Sequence, residues 1–167
     1  MKIAIVSDTH GNVANFKKVV HWLNKENIKI ILHCGDIGDP ESLKESLEDF
    51  LGEFFGVLGN MDRDYKILIA EYDKISRAKV NEDTFETEID GKRIAFVHFP
   101  DIAKKMAESG RYNLVFYGHT HKPWVEQVGN CKLANPGELA GQRFKPTFAI
   151  YDTETDKLEL KILVMLT

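Results

Sequence analysis

"KIAIVSDTHGNVANFKKVVHWLNKENIKIILHCGD" (Lys2–Asp36) is the stretch from which the fold can be read. Its two ends, KIAIVSD (2–8) and KIILHCGD (29–36), are short apolar runs rich in β-branched residues, and each stops at a polar turn. That is the signature of a buried strand. Between them Phe16, Val19, Val20 and Leu23 recur at i, i+3, i+4 and i+7, the apolar stripe of an amphipathic helix. Asp39, Pro40 and Glu41 then combine an N-cap acceptor, a proline at the first helical position and an acid in the first turn, which starts a second helix. EFFGVLGN (53–60) reads as a third buried strand. The β-α-β-α-β order calls for a parallel sheet covered by helices.

Beyond residue 60 the pattern changes. Residues 63–79 read as helical, and TFETEIDGKRIAFVH (84–98) alternates around Asp90-Gly91, a two-residue hairpin signal. Asp101 to Gly110 reads as a capped helix and 113–117 as another buried strand. WVEQV, PTFAIYD and KLELKILVML follow as further strands, so the second half is the more antiparallel. No repeat, linker or low-complexity run interrupts the chain, and 167 residues suit one domain, 1–167, around a sizeable core.

Composition narrows the partners. The apolar fraction is 43% and the charged fraction 29%, with a net charge of −4 and no lysine/arginine block. A basic nucleic-acid-binding surface is therefore not indicated. The first apolar run, Ile3–Val6, is broken by Ser7 and Asp8, too short for a signal-peptide core or a membrane span. A cytoplasmic protein with no membrane partner is expected. Cys34 and Cys131 form no CxxC pair and read as reduced thiols. Strand edges in the second half leave a homo-oligomer open.

The polar residues that end the apolar strands form a set. Asp8 and His10 follow the first strand (SDTHGN), Asp36 the second (HCGDIGD) and Asn60 the third (LGNMD). His98 ends the hairpin (FVHFP), and His119 and His121 follow the next strand (YGHTH). The carboxyl edge is where open α/β sheets place their sites. On extended backbone, i and i+2 side chains share a face, so Asp8 with His10, and His119 with His121, can each aim two donors at one small volume. Glycines 35, 59 and 118 precede ligand positions and are expected to permit sharp turns there. SDTH, GD and GN alone read as turns and a lone His98 as a half-buried histidine, while GHTH is the best single fragment for metal; their joint occurrence at strand ends points to metal.

The ordered set D-x-H, G-D, G-N, H, G-H-x-H closely resembles the calcineurin-like metallophosphoesterase superfamily, over Asp8 to His121. NPGE (135–138) resembles the N-P-G segment of its small archaeal and bacterial phosphodiesterases. The resemblance implies a four-layer α/β/β/α sandwich, two mixed sheets flanked by helices. It also implies two divalent ions: one held by Asp8, His10 and His121, the other by Asn60, His98 and His119, with Asp36 bridging them. Asp36, Asn60 and His98 are the expected catalytic groups. Mixed carboxylate and imidazole ligation favours Mn²⁺ or Ni²⁺, with Fe or Zn as alternatives, over Mg or Ca. Two dications against two carboxylates leave net positive charge, which attracts an anionic ester to a mildly acidic protein. The implied activity is hydrolysis of a small phosphodiester by in-line attack of a metal-bridging hydroxide.

The chain departs from the family pattern twice. Many members carry a histidine after G-N, which is thought to protonate the leaving group; here Met61 has no proton to give. Phe99 stands where a glycine is usual and either packs or offers a stacking face to a substrate base. Asp62 reads as an acceptor orienting the site or a cap for the following helix. Arg63 is a candidate for a substrate phosphate. His21 and His33 are left outside the site, and Cys34 and Trp124 are assigned to packing. The competing class is a protein-binding scaffold resembling the retromer subunit of this fold. A nucleotide-binding doubly wound domain is disfavoured, because no G-x-G-x-x-G or P-loop lysine follows the first strand.

Overall fold

A computed structural model describes residues 1–166. Strands β1 (Lys2–Val6), β2 (Ile30–His33), β3 (Glu53–Val57) and β4 (Ala78–Asn81) run parallel. Helices α1 (Val13–Lys25), α2 (Pro40–Leu47) and α3 (Tyr65–Tyr72) connect them. The α1 stripe is buried as its spacing requires, with Phe16, Val19, Val20 and Leu23 all inside. Asp39 caps α2 by accepting from the Ser42 amide.

The chain then builds a second sheet from β5 (Thr84–Ile89), β6 (Lys92–Val97), β7 (Leu114–Phe116), β8 (Trp124–Val128) and β9 (Cys131–Asn135). Helix α4 (Pro100–Glu108) crosses between β6 and β7. The hairpin turn Asp90-Gly91 has positive φ at both residues, 49° and 73°, as a primed two-residue turn demands. Finally β10 (Thr147–Asp152) and β11 (Lys157–Ile162) return to the first sheet, β10 antiparallel to β1 and β11 antiparallel to β10. The sheet orders are β11-β10-β1-β2-β3-β4 and β5-β6-β7-β9-β8, both mixed.

Three apolar layers account for four structural ones. One lies between the first sheet and α1–α3 (Phe16, Leu23, Leu43, Tyr72). One lies between the sheets (Ile5, Leu32, Phe96, Phe116). The third lies between the second sheet and α4 (Val97, Ala103, Val115). The α/β/β/α sandwich expected from the resemblance is the observed fold. Two strands escaped the sequence reading. β4 begins at the end of the stretch read as helical, 63–79, and escaped because AKVN is short and half polar; it pairs with β3. β9 lies between β7 and β8, and its CKLAN has too few residues to display a period. Trp124, assigned to packing, is instead 53% exposed on the outer strand β8, with Lys122 over its ring.

Candidate metal centre

All seven predicted ligands emerge at the carboxyl ends of β1, β2, β3, β6 and β7, but five of them are not on extended backbone. Asp8, His10, Asp36, His119 and His121 have φ of 50°, 47°, 53°, 66° and 63°. Left-handed backbone costs a non-glycine residue roughly 1–2 kcal/mol, and such strain persists only where the surroundings over-determine it. Here backbone hydrogen bonds do so: Asp8 N–H to Gly35 O at 3.0 Å, His10 N–H to Asp36 O at 3.0 Å and Gly11 N–H to Ile37 O at 2.9 Å lace the first two loops together. Asp8 and His10 converge through these turns rather than by strand alternation, whereas His119 and His121 do not meet in one group. The glycines also act differently from expectation. At Gly59 and Gly118 no positive φ is needed; a Cβ would collide with Asp36 and with Ser7 and Asp8, so the requirement is close approach.

The ligand atoms form two groups. His121 Nε2 lies 3.3 Å from Asp8 Oδ1 and 3.3 Å from His10 Nε2, and His10 Nε2 lies 4.0 Å from Asp8 Oδ1. On the other side Asn60 Oδ1 lies 2.9 Å from both His98 Nε2 and His119 Nδ1. Asp36 Oδ2 stands between, 3.7 Å from His10 Nε2 and 3.5 Å from His98 Nε2. The two GHTH imidazoles therefore straddle the site rather than share one grip. Asp8, Asp36, His98 and His121 are buried, whereas Asn60 and His119 are exposed; the centre opens on their side.

The donors fit a cation. His98 Nδ1 donates to Cys34 O at 2.9 Å, which leaves its Nε2 lone pair facing the Asn60 oxygen. His121 Nδ1 donates to Glu138 Oε2 at 3.0 Å, which leaves its Nε2 lone pair facing Asp8. Lone pairs that point at one another want positive charge between them. Among the described residues no lysine or arginine pairs with Asp8 or Asp36. Burial, reinforced by the charges of Asp36 and Glu138, pushes the Asp8 carboxyl up to about 8 despite bonds from Ser7 and the His119 amide. Burial likewise lowers His98 and His121 against the pull of Asp36 and Glu138, holding both rings neutral as ligands must be.

Outer contacts orient this set. Asp62 is an orienting acceptor and not a helix cap: it takes the amides of Ile37, Gly38 and Gly59 at 3.2, 3.1 and 2.8 Å. Burial pushes its carboxyl up against these donors. Met61 donates its backbone N–H to Asp36 Oδ1 at 2.8 Å, while its side chain is exposed. Phe99 sits at the rim, edge-on to His98 and tilted against His119 at 5.1 and 5.2 Å between centroids. Arg63 is exposed, and among the described residues no hydrogen bond or ion pair ties it to a candidate ligand. Cys34 is fully buried and His21 is exposed on α1, as expected.

Two residues that matter here were passed over. Glu138, fully buried, accepts from His121 and from the amides of Gln142, Arg143 and Phe144 at 2.9, 2.6 and 2.5 Å. Burial would raise its carboxyl, but these donors hold it below the usual range. His33 does face away from Asp36, yet its Nδ1 accepts from Gly35 N–H at 3.2 Å and its Nε2–H meets Thr9 Oγ1 at 2.6 Å. It joins the Asp8–His10 turn to the Gly35-Asp36 turn. Burial lowers its pKa to about 3, with His98 and His10 adding to the shift. An unfolded histidine protonates below about pH 6.5, so between that value and about 3 the unfolded chain binds a proton that the native state refuses. This contribution to stability is lost as pH falls through that window. Urea midpoints of metal-free protein at about pH 7.5 and about pH 4.5 should therefore differ less in His33→Gln than in the wild type; equal differences would contradict the assignment.

Comparison with known proteins places this geometry. The profile of the calcineurin-like phosphoesterase superfamily domain matches residues 1–156. The chain belongs to the calcineurin-like phosphoesterase superfamily. It falls in the small archaeal branch: a phosphodiesterase of Methanocaldococcus jannaschii is 33% identical over 168 residues, 99% of each chain. The solved structure of an archaeal phosphodiesterase superposes with a TM-score of 0.88 at 31% identity, covering 97% of this chain and 99% of that one. Vps29 of Chaetomium thermophilum, at 15% identity and a TM-score of 0.69 over 97% and 92% of the two chains, shares the fold. Metal-dependent phosphoester chemistry is what superfamily membership and the ligand clusters jointly support. Among the described residues no helix is long and apolar enough to cross a membrane.

Proposed function

We propose that this metallophosphoesterase is a phosphodiesterase with a two-ion centre. Asp8, His10 and His121 would hold one position, Asn60, His98 and His119 the other, and Asp36 would serve both. The observation carrying this reading is the pair of ligand groups on either side of Asp36 Oδ2, 3.7 Å from His10 and 3.5 Å from His98. Divalent cations, Mn²⁺ or Ni²⁺ by donor type with Fe or Zn as alternatives, supply a nucleophile at neutral pH and neutralise phosphoryl charge. The protein's own contribution is to fix the donors and their tautomers through Cys34 O and Glu138, and to keep one face open at Asn60 and His119 for a small ester. Phe99 at that rim is placed to stack on the ester's organic group.

Met61 brings no proton to the leaving group, so departure must depend on the group's own stability as an anion. Bis-p-nitrophenyl phosphate with added Mn²⁺ or Ni²⁺ is expected to be cleaved, His98→Ala to cleave it poorly, and simple alkyl monoesters to react slowly. Across a leaving-group series the rate should fall steeply as pKa rises. A flat dependence, or no turnover with any ion, would overturn the reading. The scaffold alternative draws only on the shared fold, whereas every ligand position here holds a competent donor.

A further inference from the structure

Phe99 is tied down by its backbone and left out of every core. It precedes Pro100, whose ring confines it to extended backbone, and its φ and ψ are −87° and 134°. Its carbonyl accepts from the Ala103 amide at 3.0 Å. Val97 and Ala103, on either side of this junction, are buried in the layer between the second sheet and α4. Phe99 belongs to none of the three apolar layers, and its side chain is exposed.

What the ring does touch is the candidate metal centre. Its two ring contacts are with His98 and His119, the imidazoles that share the Asn60 oxygen. Among the described residues it is the one ring outside the ligand set that meets a candidate ligand, and no lysine or arginine lies over it. Asn60 and His119 are exposed beside it, so the ring stands on the side from which an ester reaches the centre. An aromatic held by its backbone at such an opening, with no core to fill, can take a second flat ring against it with little further ordering.

We propose that Phe99 selects esters whose organic group carries a flat aromatic ring, an aryl group or a nucleobase, by stacking that ring beside the Asn60/His98/His119 group. This rests on the phosphodiesterase reading above and names the class of ester it acts on. A methyl or bare sugar group in the same place would leave the Phe99 ring against water.

The test is calorimetric titration of Mn²⁺-loaded wild type, Phe99→Leu and Phe99→Trp with two matched pairs of ligands. One pair is benzylphosphonate and methylphosphonate; the other is adenosine 5′-monophosphate and ribose 5-phosphate. Within each pair the anionic head is shared and the ring is what differs, and the second pair sets the ring a sugar's length away. In at least one pair the wild type is expected to favour the ring-bearing ligand by roughly tenfold, the scale of stacking on an aromatic side chain. Phe99→Trp should keep that preference, and Phe99→Leu, apolar but not flat, should lose most of it. The pair that responds identifies the ring as aryl or base. Each ring-free ligand is the internal reference, so a loosened His98 or His119 cancels in the ratio. No wild-type preference in either pair, or a preference that Phe99→Leu retains in full, would overturn the proposal. Turnover of bis-p-nitrophenyl phosphate separates the two readings: a wild type that binds the ring through Phe99 yet cleaves no diester with any ion upholds the role of Phe99 and sinks the phosphodiesterase reading.

Discussion

Asp36→Asn is expected to lower kcat/KM by more than about 100-fold, beyond what losing an outer partner of a metal ligand costs. The substitution is nearly isosteric. An amide oxygen can still accept the Met61 N–H now held at 2.8 Å, so the turn should survive. What disappears is the negative charge that faces His10 on one side and His98 on the other. On the two-ion reading proposed above, neither position would keep its shared anionic donor, and metal content should fall with activity. Stability of the metal-free protein should change little or rise, because one of two buried like charges near Asp8 is removed. Elemental analysis, bis-p-nitrophenyl phosphate kinetics and urea unfolding give the three readouts. A variant that keeps full metal and most of the activity would refute the placement of Asp36.

Glu138→Gln is expected to weaken both the fold and the centre. The carboxylate now satisfies three loop amides and one imidazole from within the protein. Glutamine offers a single acceptor oxygen, and its NH₂ would confront donors. Leaving a buried polar group unsatisfied costs about 1–3 kcal/mol, so destabilisation of a few kcal/mol is expected, of which about 1 kcal/mol corresponds to roughly 2–4 °C in Tm at this chain length. His121 also loses the acceptor that fixes its tautomer, which should weaken Mn²⁺ binding by about 10- to 100-fold. Excess Mn²⁺ should recover part of the activity but not the lost stability. Calorimetric Mn²⁺ titration and urea unfolding check the two effects separately. Unchanged metal affinity would show that Glu138 serves the loop alone.

Much of this architecture is legible in the chain because its signals are local. The α1 stripe, the Asp39-Pro40 helix start and the Asp90-Gly91 turn each lie within a few residues. The candidate ligand set is legible for another reason: strand ends announce themselves as apolar runs that stop at Asp, Asn or His. What escaped depends on distant partners. β9 strands only by lying between β7 and β8, and β4 only by lying along β3. The left-handed φ at Asp8, His10 and Asp36 is supported by loop-to-loop hydrogen bonds that no spacing encodes, so strand alternation brought Asp8 to His10 by the wrong path and wrongly joined His119 to His121. Glu138 was visible as part of NPGE, but its partner His121 is 17 residues away. His33 was correctly turned away from Asp36; what alternation could not reveal was that the far side of the strand holds Thr9.

The centre also has a mechanical side. Asp8, His10, Asp36 and Asn60 hang from the first sheet, while His98, His119 and His121 hang from the second. Each candidate ligand cluster draws on both, Asp8 and His10 with His121, and Asp8 and Asp36 with His98. An ion seated in either cluster is therefore a rivet through two layers that otherwise meet largely across oily side chains such as Ile5, Leu32, Phe96 and Phe116. It would close a long loop, from Asp8 to His121 in the first cluster or from Asp8 to His98 in the second, the long-range kind of tether whose constraint on the unfolded chain grows with the logarithm of its length. Loading the site would resist sliding of one sheet over the other as well as equip the protein for hydrolysis.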